Sequence, residues 1–174
     1  HLQTHRDPLG QGGLARTKLA IGDDYVTGLQ QPGQSLTQGA HGLPLMGSGD
    51  WNDGMNRVGR EGRGESVWLG FFLYAILGAF VPICGQHGDP NRARRYAAFR
   101  RHLAKALNEQ GWDGAWYRRA WYDNGAVLGS AASDECQIDA LAQAWVVLSQ
   151  AAPAARAEPA QDAGVDARHR GLAG

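Results

Sequence analysis

A glycine-rich loop with a compact group of polar side chains stands out at residues 41–64. Its sequence, HGLPLMGSGDWNDGMNRVGREGRG, places Asp50, Trp51, Asn52 and Asp53 between glycines. Glycine at this density permits tight turns and close approach of the backbone to a ligand. A carboxylic acid can protonate a leaving oxygen, an indole can stack on a pyranose, and an amide can hydrogen-bond to hydroxyls. The group therefore favours sugar chemistry, although the two aspartates could equally close an Asx-turn.

Composition indicates a soluble globular chain with a small or neutral ligand. The 174 residues include 17 Lys and Arg against 17 Asp and Glu, which argues against nucleic acid or an anionic membrane as the main partner. Cys84 and Cys136 lack the paired spacing of a zinc site or a disulfide framework, so we expect two reduced, packing cysteines. The six histidines are scattered along the chain, and we predict no metal.

The segment that follows the loop predicts a helix buried on every side, from Glu65 to about Val81. Gly70, Gly78 and Pro82 interrupt the apolar run, which falls short of the roughly 20 apolar residues that a membrane span needs. We therefore expect a core helix and no direct membrane insertion. Its apolar side chains are Val67, Trp68, Leu69, Phe71, Phe72, Leu73, Ile76, Leu77 and Phe80.

Two further helices are predicted from capping patterns. Asp89-Pro90 supplies an N-cap and a proline at the first position of a basic amphipathic helix, whose arginines we place on its solvated sides. Asp134, with Gln137 three residues later, resembles a capping box, and apolar residues continue at helical spacing to about Gln150. We expect this second core helix to pack beside the first.

Residues 116–128 predict a β-hairpin. Residues 116–122 alternate loosely, the Asp-Asn-Gly sequence at 123–125 tolerates positive φ, and apolar character resumes at residue 126. Aromatic side chains here could stack on glucan, but hairpin aromatics more often pack onto a core. We expect core positions for most of the set, which is Trp112, Trp116, Tyr117, Trp121 and Tyr122.

The two ends differ from the middle of the chain. Residues 1–40 are rich in Gln and Gly with little periodicity, and we expect an irregular N-terminal segment. Residues 151–174 are rich in Ala and Pro without an apolar repeat, and we expect a disordered tail. The folded part is then residues 41–150, all-α with one small β-hairpin. Because the chain opens on His1, we interpret it as an internal piece.

The motifs resemble a known family. The stretch GLPLMGSGDWNDGMNRVG, followed by GRGESVWLGFFLY, resembles the catalytic loop and following helix of glycoside hydrolase family 94. The segments WDGAWYRRAWYDNGAVLGS and SDECQIDALAQAWVVLS are similar to its cyclic β-1,2-glucan synthase branch, so the resemblance covers about residues 40–149. It implies a fragment of an (α/α)6 barrel from an inverting phosphorylase. The general acid would be Asp53, the last residue of Trp-Asn-Asp.

The resemblance also implies a mechanism that needs one protein carboxyl group. An inverting hydrolase requires a second carboxylate to activate water, whereas inorganic phosphate arrives already anionic and no cofactor is needed. Trp51 would line the subsite of the sugar under attack. Asp50 and Asn52 would contact sugar or hold the loop shape by local hydrogen bonds. Glu135 is a further candidate for substrate binding, although a carboxylate at a predicted helix start has a simple electrostatic explanation.

The sequence departs from the family in two places. The family takes further sugar contacts from an arginine and an aspartate upstream of the loop, and most phosphate contacts from residues downstream of ECQIDALAQAW, and neither set is recognised here. We therefore expect about half a barrel to be missing. The implied partners are β-glucan or an oligosaccharide, inorganic phosphate and the remainder of the parent barrel, on the cytoplasmic side of a synthase that is membrane-embedded elsewhere in its chain.

Two alternatives stay open at this point. The chain could be a non-catalytic glucan-binding or scaffold fragment that keeps aromatic faces without a site for the nucleophile. It could also be an inverting hydrolase, which would need a base carboxylate roughly 6.5–9.5 Å from Asp53 on the opposite face of the sugar. Glu135 or Asp139 would have to serve as that base.

Overall fold

The computed structural model describes residues 38–47, 50 and 53–171, which are mostly helical with a small antiparallel sheet. The irregular segment predicted for residues 1–40 lies outside the described residues up to residue 37. Gln38 forms an isolated bridge with Pro44, so the described part begins against the glycine-rich loop.

The first helix, α1 (Val67–Gln86), begins two residues later than predicted and continues beyond Val81. Ser66 is its N-cap, and the Ser66 hydroxyl accepts a hydrogen bond from the amide of Leu69 at 3.1 Å. Glu65 and Ser66 form strand β1 (Glu65–Ser66) because their backbone pairs with the hairpin, which stops the helix from starting at Glu65. The helix is not buried on every side as predicted, because it packs against two other helices but leaves Ile83 43% exposed. By length and composition α1 could cross a membrane.

The second helix, α2 (Pro90–Ala106), confirms the predicted cap. The Asp89 carboxylate accepts from the amide of Arg92 at 2.9 Å, and Pro90 occupies the first turn. Its apolar face packs on α1. Arg100 departs from the expected solvated position, because its guanidinium lies 3.9 Å from the centre of the Tyr74 ring and donates to the Tyr74 carbonyl.

The predicted hairpin is confirmed, and β1 adds a third strand to it. Strands β2 (Ala120–Trp121) and β3 (Val127–Leu128) pair antiparallel, and β1 pairs with the other edge of β2. Residues 44–46 run beside β1, since the amide of Ser66 donates to the Pro44 carbonyl and the amide of Met46 to the Gly64 carbonyl. Both ends of the glycine-rich loop are thereby attached to this sheet.

The third helix, α3 (Ala140–Ser149), does not use the predicted capping box. Its N-cap is Asp139, whose carboxylate accepts from the amide of Ala142 at 3.0 Å. The helix cannot start at Asp134 because Cys136 has a φ of 50° and its carbonyl accepts from the amide of Gly129. Cys136 is exposed, so the expectation of two packing cysteines holds only for Cys84.

The tail contains a fourth helix, α4 (Ala154–Gly171), so the expectation of disorder is wrong for these residues. Alanine has the highest helix propensity of any residue, and α4 packs against α3 with Ala160 fully buried. Arg156 also attaches the helix to the core, because it donates to the Asn108 carbonyl at 2.6 Å and lies over the Trp112 ring.

The core lies between α1, α3 and the hairpin. Trp145 of α3 meets the Phe72 ring edge-on at 5.2 Å, which confirms that the first and third helices are neighbours. The buried side chain of Gln143 accepts from the amide of Tyr117 and donates to its carbonyl. Burial raises the pKa of the Tyr117 hydroxyl, against an opposing effect of Arg156. Tyr117 and Trp121 are buried, and Trp112 and Tyr122 are partly buried against the core clusters, so most of the aromatic set packs as expected.

Two glycines with positive φ make a matched test of packing behind the hairpin. A Cβ on Gly125 (φ 82°) would meet nothing within 4 Å, whereas one on Gly129 (φ 76°) would lie 2.6 Å from the backbone nitrogen of Arg119. We expect Gly125→Ala to lower the free energy of unfolding by about 1–2 kcal/mol through backbone strain alone, and Gly129→Ala to lower it further. Urea unfolding checks this, and equal losses would contradict the close approach.

Candidate active site

The glycine-rich loop begins over a buried carboxylate. Glu65 is 1% exposed, and its oxygens accept from the amides of His41, at 3.1 and 3.2 Å, and Leu43, at 3.0 Å. A Cβ on Gly39 would lie 2.3–2.5 Å from the Glu65 side chain, so only glycine fits there. Glu65 was expected at a helix start, but it holds the loop entrance by accepting from its amides.

A histidine closes this entrance. His41 Nδ1 lies 2.7 Å from Glu65 Oε1, and the imidazole stacks on the Trp121 indole with ring centres 4.2 Å apart. The His41 side chain is 31% exposed while Glu65 is buried beneath it. The first residues of the loop are thus bound to β1 by hydrogen bonds and to β2 by aromatic stacking.

Asp50, which directly precedes the Trp-Asn-Asp motif, is held by a buried cation. Arg119 Nη2 lies 2.8 Å from Asp50 Oδ1 and 2.7 Å from Oδ2, with both side chains fully buried. Asp50 Oδ2 also accepts from the Ser66 hydroxyl at 2.8 Å. These contacts explain why a carboxylate stands at position 50, and they favour the interpretation that Asp50 shapes the loop.

The exit of the loop is clamped by the hairpin turn. The Asp123 carboxylate accepts from the amides of Glu61 (2.7 Å), Arg63 (2.8 Å) and Gly64 (2.9 Å). Arg63 Nε donates to the Asp123 carbonyl, and the amide of Asp123 donates to the Val58 carbonyl. Desolvation acts to raise the pKa of the Asp123 carboxyl, but the three amides and the Arg63 charge outweigh it and hold the pKa below its ordinary value.

Of the five predicted site residues, the structure describes Asp50, the backbone of Asp53 and Glu135. Trp51 and Asn52 lie outside the described residues, and the backbone of Asp53 begins a short 3-10 helix (Asp53–Met55). Glu135 is exposed in the irregular segment before α3 and does not lie at the helix start expected for it. Within residues 38–47, 50 and 53–171, no group of three His, Cys, Asp or Glu side chains could hold a metal ion.

Sequence reasoning missed four residues that position the loop: His41, Glu65, Arg119 and Asp123. One of them had a recognisable signal. In the alternating segment before the turn, Tyr117, Arg119 and Trp121 share one parity, and all three are buried. A charged residue at an inward position of a hairpin needs a buried partner, and the opposite charge at Asp50 supplies it.

Comparison with known proteins gives a consistent result. The model of the glycosyl hydrolase 94 superfamily catalytic domain matches residues 29–169, well beyond residues 40–149 at both ends. The chain is 49% identical over 125 residues to the cyclic beta-(1,2)-glucan synthase NdvB of Rhizobium meliloti, covering 72% of this chain and 4% of the synthase. It is 40% identical over 131 residues to 3-O-beta-D-glucopyranosyl-beta-D-glucuronide phosphorylase of Paenibacillus borealis, covering 75% of this chain and 16% of the phosphorylase.

A third relative, the solabiose phosphorylase of Paenibacillus borealis, is 38% identical over 120 residues, covering 68% of this chain and 16% of that enzyme. The chain therefore spans a small part of the length of the curated relatives it matches.

The Asp123 clamp predicts a pH-dependent contribution to stability. Because the carboxyl pKa is depressed on folding, its contribution is fully present above the unfolded-state pKa of about 3.9 and is lost as pH falls through the lower folded-state pKa. Asp123→Asn should therefore destabilise the protein at pH 7 and much less near pH 3. Urea unfolding at both pH values measures this, with Asp134→Asn, at an exposed carboxylate, as control. An Asp123→Asn effect independent of pH would contradict the clamp.

Proposed function

Because the chain belongs to the glycosyl hydrolase 94 superfamily, we propose that it is part of an inverting glycoside phosphorylase domain that acts on β-linked glucan. In this proposal Asp53 is the general acid and inorganic phosphate is the nucleophile. The similarity to a cyclic beta-(1,2)-glucan synthase and to phosphorylases of β-linked and other sugars supports the substrate class.

The observation that carries the proposal is the anchoring of the loop on both sides of Asp53. Three residues before Asp53, Asp50 is bound by Arg119. After Asp53, the backbone at residues 61–64 is bound by Asp123. A general acid must come within about 2.6–3.2 Å of the oxygen that it protonates. A loop fixed at both ends to a sheet suits that requirement better than a loop attached only by its own turns.

The same proposal assigns the neighbouring residues. Trp51 would line the subsite of the sugar under attack, and Asn52 would contact its hydroxyls. Asp50 would act on substrate only through the loop, since its carboxylate is buried against Arg119. Glu135 stays a candidate for sugar binding because it is exposed. The reaction needs no cofactor or metal, and the two free cysteines, Cys84 and Cys136, fit the reducing environment of the cytoplasm.

The fold proposed for the complete domain is an (α/α)6 barrel, of which α1, α2 and α3 would form part. Large apolar side chains stay exposed at positions that further helices would cover. They are Ile83, Val147, Leu148 and Val165, of which Leu148 is 67% exposed. The remainder of the barrel would also supply the phosphate contacts.

The hydrolase alternative loses one of its two candidate bases. Asp139 Oδ1 caps α3, and Asp139 Oδ2 lies 3.6 Å from Arg119 Nε, so this carboxylate is engaged in the fold. A carboxylate whose two oxygens already contact a helix amide and a buried guanidinium is poorly placed to bind and orient an attacking water. Glu135 would then have to serve alone, and the phosphorylase proposal is the better supported.

Asp53→Asn, made in the full-length protein that contains this chain, tests the acid. The amide keeps the size of the side chain but has no transferable proton, and general acid catalysis is worth roughly 10²–10⁴-fold. Phosphorolysis of an unactivated β-glucan should fall by that factor. Reaction of a nitrophenyl β-glucoside should fall far less, because its leaving oxygen barely needs protonation. Initial rates with both substrates measure the contrast.

Two comparisons keep this test specific. Asp134→Asn makes the same chemical change at an exposed position and should leave both rates unchanged. If Asp53 only shapes the loop, both substrates should lose rate together and the melting temperature should fall. If Asp50→Asn gives the selective loss while Asp53→Asn does not, the acid is misassigned.

The isolated 174-residue chain should show little or no phosphorolytic turnover. Without a positioned phosphate the reaction forfeits the proximity contribution, which is on the order of 7–11 kcal/mol. A phosphate-dependent assay for glucose 1-phosphate with the purified chain checks this. Steady release of the product would show that the chain carries its own phosphate site.

A further inference from the structure

We propose that Arg119 is a positioning residue for the general acid: its buried guanidinium holds Asp50 and thereby fixes the backbone three residues before Asp53. The inference rests on the proposed function, because it takes Asp53 as the acid. It adds a residue that lies outside the motif of the catalytic loop, 69 positions further along the chain than Asp50.

The contacts of the guanidinium connect three parts of the fold. Nη2 binds both oxygens of Asp50, Nη1 donates to the Ser66 hydroxyl at 3.2 Å, and Nε faces Asp139 Oδ2 at 3.6 Å. Ser66 caps α1 and Asp139 caps α3. The guanidinium therefore ties the loop to the first turns of two helices, which are rigid elements in the core.

Burial makes this link hard to release. The Arg119 side chain is 0% exposed, and arginine stays charged at any physiological pH. A buried charge that loses its partner carries a large desolvation penalty. Separation of the Asp50 carboxylate from the Arg119 guanidinium is therefore unfavourable while Arg119 stays buried. The Arg119 backbone is fixed as well, because its amide donates to the Leu128 carbonyl at 2.8 Å and its carbonyl accepts from the Val67 amide at 3.1 Å.

The shape of the group matters as well as its charge. A guanidinium donates in fixed directions from a planar fork, whereas an ammonium is a compact point charge on a flexible stem. Lysine at position 119 would keep the charge but could not engage Asp50, Ser66 and Asp139 together in this geometry. Arg101 provides the contrast, because it is exposed on α2 and lies outside the loop and the hairpin.

Positioning at this point affects proton transfer more than binding. The sequence places Gly47, Gly49 and Gly54 around the motif, and glycine leaves a backbone free unless contacts fix it. A displacement of about 1 Å at a reacting group can cost on the order of 10²-fold in rate. Loosening Asp50 should therefore weaken the step that depends on Asp53, which is protonation of the leaving oxygen.

The experiment compares Arg119→Lys, Asp53→Asn and the double variant in the full-length protein, with Arg101→Lys as matched control. We expect Arg119→Lys to lower kcat at least tenfold on an unactivated β-glucan, to lower it much less on a nitrophenyl β-glucoside, and to change KM little. The double variant should lose no more on the unactivated substrate than Asp53→Asn alone, because Arg119 acts through the acid. Arg101→Lys should keep wild-type kcat on both substrates.

The outcomes separate this inference from the proposed function. Equal loss on both substrates, or a further loss in the double variant, would overturn the role of Arg119 while a selective Asp53→Asn loss keeps the acid in place. If Asp53→Asn shows no selectivity, the proposed function fails and this inference fails with it. If Arg119→Lys does not fold, Asp50→Asn tests the same link with the buried cation kept, and an equal loss on both substrates would again overturn the inference.

Discussion

Arg119 is a charged residue that is buried away from water, and the arrangement of the residues around it follows from the need to pair that charge. Its side chain is fully buried and faces the carboxylates of Asp50 and Asp139 and the hydroxyl of Ser66. Each partner has a second structural role, since Ser66 and Asp139 cap helices and Asp50 belongs to the glycine-rich loop. The cation therefore couples secondary structure to the site, and none of these groups can change without affecting the others.

The loop is held by groups of different chemical type at its two ends. At the entrance Glu65 accepts from the backbone amides of His41 and Leu43 and lies 2.7 Å from Nδ1 of the His41 ring, which stacks on the Trp121 indole. At the exit Asp123 accepts from three consecutive or nearby amides. A loop lacks the regular backbone carbonyl acceptors of a helix or a sheet. In both places a carboxylate accepts hydrogen bonds from the loop amides, which would otherwise be left without an acceptor. Glycine supplies the turns, and acidic side chains supply the fixed geometry.

Local signals in the sequence predicted local structure well. The cap at Asp89 and the hairpin turn depend on neighbouring residues, and the structure agrees with them. The first helix forms where its apolar run predicts, but it is not buried on every side, because its C-terminal part leaves Ile83 43% exposed. The start of α3 was misplaced because the positive φ of Cys136 overrides a plausible capping box. The alanine-rich tail lacked an apolar repeat, and its helix depends on packing against α3, which a sequence pattern does not display.

The candidate site also combines residues that the sequence could identify with residues that it could not. The motif residues Trp51, Asn52 and Asp53 are contiguous and could be proposed from their chemistry alone. The residues that hold the motif come from the hairpin, and Arg119 lies 69 positions from its partner Asp50. A single sequence gives no measure of that proximity, so the supporting residues emerge only when the chain is folded. The inward parity of Arg119 with Tyr117 and Trp121 was the one available signal.

The hairpin turn has a consequence for how this segment can be altered. Turns that connect two strands at a surface are ordinarily tolerant sites for insertions, deletions and peptide tags. Here the carboxylate of the first turn residue, Asp123, accepts hydrogen bonds from backbone amides within residues 61–64. The position of Asp123 relative to those amides must therefore be kept. Lengthening the turn would move that carboxylate out of reach of the amides. The surface turn at residues 123–125 is consequently a poor place for a fusion partner or an epitope, despite the exposure of Asn124 and Gly125.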